Sequence, residues 1–274
     1  MATLENTAIQ DTYEGLLKIT DNAALTTANK IVSDGAGTAT GIKVGSGTTV
    51  EFTKKISQTG LGFSTFFGEN AGLNDDGSNN SNTAFGRDAM ETEETLAESV
   101  AVGYNALTSA TTGGYHVAVG AHSGQTMVAT YGNTSVGSRS LRNATTAGYS
   151  SAFGYRSLQN HTTGYYNVGI GYDALAANTT AGSNTAIGAE AGDGTNYHRG
   201  VYVGYNAGKS HTQGNDKLFI ANTNTATPLV WGDFSGAKLT FNVNNLNFSN
   251  IPTADTDLVA GDVWRSGNDL KIVS

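Results

Sequence analysis

Residues 150–175 read SSAFGYRSLQNHTTGYYNVGIGYDAL, and the end of this stretch restates its beginning. SAFGYRSL at 151–158 returns as VGIGYDAL at 168–175, seventeen residues later. Working outward, the same unit recurs in both directions. Its glycine stands at Gly68, Gly86, Gly103, Gly120, Gly137, Gly154, Gly171, Gly188 and Gly204. The intervals are 18, six times 17, and 16. An apolar residue precedes each glycine, giving the column Phe67, Phe85, Val102, Val119, Val136, Phe153, Ile170, Ile187 and Val203. Ala or Ser follows three residues after the glycine, and then only Gly, Leu or Met. A repeat of this length cannot bury its apolar side alone and must stack on its neighbours, which is the logic of a solenoid.

Composition agrees. Glycine supplies 36 of 274 residues, and only 14% of residues are charged. The glycines follow no Gly-X-Y period and there are two prolines, which excludes collagen. Apolar positions hold phase with the glycines across the middle of the chain, which a flexible Gly/Ser/Thr linker would not do. The net charge is −8 with no basic stripe, so a nucleic-acid partner is not expected. Cysteine is absent, which removes disulfide and thiolate chemistry. The amino terminus has no basic segment followed by an apolar run, so no secretory signal is expected. No membrane insertion is expected either, since no stretch approaches a spanning length.

Four regions follow. Residues 1–59 form an amino-terminal β-containing region. In it TYEGLLKIT (12–20) is apolar, and GIKVGS (41–46) and TTVEFTKKI (48–56) alternate as half-buried strands do. Residues 60–214 are the solenoid. In SVAVGYNAL (99–107), Val100 and Val102 point one way and Ser99 and Ala101 the other. Threonine-rich segments at 111–114, 145–148, 162–164 and 179–182 read as turns. AMETEETLAES (89–99) and SGQTMVATYGN (123–133) depart from that pattern and read as surface excursions. Residues 215–248 read as a β-rich cap and 249–274 as ending in a hairpin about SGND. Trp231 and Trp264 are the expected anchors of these end regions.

Parallel coils advance about 4.8 Å each, so nine give a rod of roughly 43 Å. Seventeen residues at about 3.3 Å trace only some 56 Å of contour per coil. The coil is therefore narrow, with little core of its own. Leu107, Leu141, Leu158 and Leu175 are then expected between chains, in a symmetric homotrimer.

The units NTAFGRDAM, SVAVGYNAL, SAFGYRSL, NVGIGYDAL and NTAIGAEAG resemble the head repeats of trimeric autotransporter adhesins. That resemblance implies a parallel β-roll or β-helix and three chains packed side by side, although adhesin coils are shorter. Similar repeats occur in bacteriophage tail-fibre and virion appendage proteins. IPTADTDLVAGDVW (251–264) is similar to the ending of many phage structural proteins, and ENTAIQDTYEGLLKITDN (5–22) to the start of phage appendage proteins. These likenesses imply a virion component. Residues 1–59 would dock on other virion proteins, and the projecting part would contact a host-surface glycan or protein. A structural fibre without a receptor, a bacterial surface adhesin and an ice-binding solenoid remain open alternatives.

Little in the sequence speaks for catalysis or cofactors. His116, His122, His161, His198 and His211 lack the close spacing of a zinc site and read as turn or solvent-face residues. DDGSNNSN (75–82) is rich in oxygen ligands but is no twelve-residue calcium loop. GAGTATG (35–41) lacks the lysine of a phosphate loop. Glu91, Glu93, Glu94 and Glu98 form no recognisable acid–base pair. The expectation is an all-β, non-enzymatic protein with no cofactor and no metal.

Overall fold

The computed structural model describes residues 63–75, 80–92 and 95–244. It also gives the backbones of four short strands outside them: Lys18–Ile19, Val32–Ser33, Val263–Ser266 and Asp269–Ile272. The chain divides into two compact units, Met1–Ser57 and Gln58–Ser274. In the first, Lys18–Ile19 pairs antiparallel with Val32–Ser33. The strands expected at 41–46 and 48–56 lie outside the described residues, as do GAGTATG and Glu93 and Glu94. In the second, Val263–Ser266 pairs antiparallel with Asp269–Ile272, the hairpin expected about SGND. No helix occurs among the described residues.

The repeat builds a parallel β-solenoid. Its long sheet runs through Thr65–Phe67, Thr83–Phe85, Val100–Val102, Val117–Val119, Thr134–Val136, Ser151–Phe153, Val168–Ile170, Thr185–Ile187, Val201–Val203 and Lys217–Ile220. All are parallel, and equivalent residues pair in register: Ser151 with Val168, Phe153 with Ile170. Val230–Asp233 then adds antiparallel to the last parallel strand, and Lys238–Phe241 antiparallel to Val230–Asp233. They cover the edge that the final coil would expose, which is what the cap requires.

Alternation along each three-residue strand sends its middle side chain inward. Ala84, Ala101, Ala118, Ser135, Ala152, Ala186, Tyr202 and Phe219 are fully buried. The apolar column ending at each glycine faces the opposite way and lies on the outside, so the small residue, not the large one, makes the core here. Gly154 shows why the glycine is needed. It sits at φ +131°, and a Cβ would come within 2.5 Å of the Gly171 carbonyl in the next coil.

After the glycine the chain turns through two left-handed residues per coil. Asn105 (φ +56°) and Leu107 (φ +51°) are one pair, Arg156 (+58°) and Leu158 (+52°) another. A left-handed leucine costs about 1–2 kcal/mol. Met90, Leu107, Leu141, Leu158 and Leu175 are each wholly buried inside their own chain. Burial of such a side chain contributes about 1.5–3 kcal/mol and outweighs the strain. This corrects the expectation that the leucines lie between chains: they are the core of a single one, and no second copy can reach them.

The choice among Gly, Leu and Met at this position follows from volume. Where the inward strand residue is small, Leu or Met usually fills the coil. Where it is aromatic, the position is glycine. A Cβ on Gly208 would overlap the Tyr202 ring of its own coil, and one on Gly192, whose own strand carries Ala186, would come within 2.7 Å of the same ring from the next coil. At Gly124 the space is taken by buried Met127.

Two expected surface excursions are part of the stack instead. Thr95–Ala97, Thr112–Gly114 and Ala129–Tyr131 form a second parallel sheet. Met90, Leu96 and Met127, from the segments read as excursions, are buried. The threonines at 112 and the apolar residues at 96 and 127 therefore belong to one side of the coil, not to variable turns.

Candidate functional site

Two exposed surfaces flank a buried polar column, and the column fixes both. It occupies the position four residues before each repeat glycine, where Asn82, Ser99, His116, Asn133, Ser150, Asn167 and Asn184 are all buried. Each side chain accepts the backbone N–H of its successor one coil on. The Ser99 N–H meets Asn82 Oδ1 at 2.9 Å, and the His116 N–H meets Ser99 Oγ at 3.0 Å. The Ser150 N–H reaches Asn133 Oδ1 at 2.9 Å, and the Gly200 N–H reaches Asn184 Oδ1 at 2.7 Å. These amides sit at a corner that water does not reach, so an unpaired one would be costly. Asn and Ser recur there because both offer a short oxygen acceptor.

His116 belongs to this column, and His161 is buried beside it, its Nε2 3.0 Å from the Gly164 carbonyl. The expectation of turn or solvent-face roles is therefore wrong for these two. Burial pushes the His116 imidazole down to about 4 and lowers that of His161. His211, packed on Phe219 at 4.7 Å between ring centroids, is also pushed down to about 4 by burial and by Lys217. No cluster of three metal-ligating side chains occurs among the described residues.

The first surface is the outer face of the long sheet. Phe67 is 52% exposed, Phe85 49%, Ile187 43% and Phe153 41%, and Val102 and Ile170 are similarly open. Val119, Val136 and Val203 are half-buried. The rings of Phe67 and Phe85 stack at 5.1 Å, so the column is continuous along the rod axis. The first residue of each parallel strand up to Val201–Val203 shares this face and is Thr, Ser or Val. No charge interrupts it there. Nine strands at about 4.8 Å and three residues at about 3.3 Å give roughly 430 Å² in plan, threonines and serine included. That is the size of the largest patch on a typical monomer, which is often functional.

Charge is gathered instead at the corner after the glycine. Arg156 pairs with Asp173 at 3.0 Å, and Lys209 pairs with Glu190. Arg87 lies over the Tyr104 ring at 4.4 Å. At the end of the repeat, Arg199 forks onto Asp216, and beyond it Lys217 meets Asp233 at 2.9 Å. Hydrogen bonds from Ser235, from Lys217 and from the Gly236 N–H hold the Asp233 carboxyl well below the usual range.

The second surface precedes the polar column. Tyr115, Tyr131, Tyr149, Tyr165 and Tyr166 lie there on successive coils, all exposed. Sequence reading passed over them, as it did over the buried column, although both keep the period of the glycines. Of the expected anchors, Trp231 is half-buried, with its indole N–H donated to Gln213 and Lys238 over its ring at 5.4 Å. The side chain of Trp264 lies outside the described residues.

No family model matches the chain, and neither the curated proteins nor the solved structures contain a significant match.

Proposed function

We propose that this chain is a structural rod of a phage virion appendage that self-associates through the outer face of its long sheet and contributes to host-surface attachment. The observation that carries the reading is the uncharged stripe from Phe67 to Val203, exposed at most coils and half-buried at Val119, Val136 and Val203. A lone soluble rod gains nothing from it. An uncharged apolar face complements a second face of the same kind, and a rod joined to copies of itself is stiff. The number three rests on the resemblance to trimeric adhesin heads, and the virion on the likeness of both termini to phage structural proteins. In this reading residues 1–59 dock on other virion proteins, and the rod presents several copies of each surface to the host, where weak contacts add.

Light scattering tests the assembly. Three copies of the 28.3 kDa chain give about 85 kDa. Ile170→Glu with Ile187→Glu places charge in the centre of the stripe and is expected to yield monomer with an unchanged β-rich spectrum. A wild-type chain that stays monomeric at micromolar concentration overturns this assembly. Antibody labelling of purified particles, read by negative stain, tests the virion assignment.

A further inference from the structure

Tyr115, Tyr149 and Tyr166 are left-handed residues, at φ +61°, +52° and +61°. Bulky side chains avoid that region. The buried leucines are repaid by the core for the same strain, whereas these tyrosines keep most of their surface in solvent: Tyr115 is 60% exposed, Tyr149 53% and Tyr166 63%. The turn is left-handed in every coil, and Phe63, Ser81, Glu98, Gly132, Ser183 and Arg199 stand at the same position elsewhere. The turn therefore does not call for tyrosine, and three exposed copies on one side exceed what folding needs.

The tyrosines also form one surface. Tyr149 and Tyr166 are nearly parallel, with centroids 5.6 Å apart, and Tyr165 is 6.2 Å from Tyr166. The preceding coil leaves room for them. A Cβ on Gly132 would come within 2.9 Å of the Tyr149 ring, and one on Gly148 within 2.9 Å of the Tyr165 ring. Tyr149 and Tyr165 thus lie back over bare peptide, and Tyr166 stacks on Tyr149. Around them stand threonines, among them exposed Thr146 and Thr163. The row five residues before the repeat glycine is uncharged from Tyr115 to Ser183, with Glu98 before it and Arg199 after it.

We propose that this face binds a neutral saccharide chain running along the rod axis. Pyranose C–H faces would lie on the tyrosine rings. Sugar hydroxyls would meet the phenols, the threonine hydroxyls and the peptide carbonyls. Between Glu98 and Arg199 the row offers an anionic polymer no cation and a cationic ligand no carboxylate. The ring spacing along consecutive coils suits consecutive sugar units. The proposal rests on the host-attachment reading and names the site and ligand class for it.

The test is NMR of the full chain with ¹³C-labelled tyrosine. The probes are maltohexaose, cellohexaose and chitohexaose, with a heparin hexasaccharide as the anionic control. At least one neutral probe is expected to shift the signals of these five tyrosines selectively at millimolar concentration. Tyr149→Ser with Tyr166→Ser is expected to weaken that binding at least about tenfold, without lowering the melting temperature. Binding by the heparin probe alone, shifts spread evenly over all tyrosines, or no response to any neutral probe overturns the site. Signals that broaden on concentrating the protein without sugar show that another copy covers this face, and overturn it as well. An assembly of about 85 kDa that fails to bind sinks this proposal alone, whereas a monomer that binds sinks only the assembly.

Discussion

His116 Nδ1 accepts the backbone N–H of Asn133 at 3.2 Å, and His116 Nε2 lies 3.0 Å from the Thr130 carbonyl. The first contact requires a lone pair on Nδ1, so the ring is neutral in the fold with its proton on Nε2. A second proton destroys that acceptor and places a buried charge in the stack.

Acid is therefore expected to weaken the protein before its carboxylates titrate. The folded value of about 4 lies below the ordinary 6.5. The contribution of His116 is full above pH 6.5 and is lost as pH falls from there through about 4. The shift corresponds to about 3 kcal/mol. Buried His161, also lowered, adds in the same direction. His116→Asn keeps an acceptor in the column and is expected to flatten this part of the curve. Urea midpoints for the two proteins at neutral pH and near pH 4.5 check it; parallel losses would remove His116 as the cause.

Gly154→Val is expected to cost about 3–5 kcal/mol or to prevent folding, because the new Cβ meets backbone and its φ is unsuited to a branched residue. Thr145→Ala removes an exposed hydrogen bond to the Thr162 carbonyl and is expected to cost under about 1 kcal/mol. Thermal melts separate the two. A Gly154→Val protein that melts with the wild type would refute the tight contact between coils.

Leu158 gives a reversed ranking. In an ordinary helix or strand, glycine is worse than alanine by roughly 0.5–1 kcal/mol. At φ +52° alanine keeps the strain and glycine does not. Both substitutions empty the coil and are expected to cost about 2–5 kcal/mol, but Leu158→Gly is expected to be no worse than Leu158→Ala. Chemical denaturation of the pair decides the point, and a clearly weaker glycine variant would argue against the left-handed turn.

A chain ending at Gly214 loses the strand Lys217–Ile220 and with it Phe219, whose ring covers Tyr202 at 5.9 Å between centroids. The edge of Val201–Val203 is then open. Such a chain is expected to aggregate, whereas removal of residues 1–59 is expected to leave a soluble β-rich protein. Sedimentation of the two truncated chains checks this, and a soluble chain ending at Gly214 would show that the cap is dispensable.

The period was legible because a stack enforces it on every column at once. Alternation told which residues share a side, as Val100 and Val102 do, but not which side is inside. The usual preference for large apolar residues in the core misleads here. A coil this narrow has room for Ala101 and Leu107, and Val102 is left outside. His116 and His161 were misread because a histidine in a turn-like segment carries no local mark of burial. Their mark is positional: His116 stands four residues before Gly120, where Asn and Ser stand in other coils. The tyrosine face is not legible from residue type, because Phe, Ser, Glu, Gly and Arg stand at the same position in other coils.

The polar column has a direction. Each member receives from the coil after it and gives its own amide to the coil before, and the run closes at Gly200, which donates but has no side chain to receive. At that point the interval shortens to 16 and Tyr202 fills the core. Between Asn82 and Gly200 the coils are thus interchangeable links, while the finish is written into a single residue. Excision of residues 134–150 would join Asn133 to Ser151 and bring Asn167 under the same acceptor. The molecule would be one rung shorter and otherwise unaltered. A lineage of such rods can change reach by unequal recombination in steps of about 4.8 Å without redesigning either end.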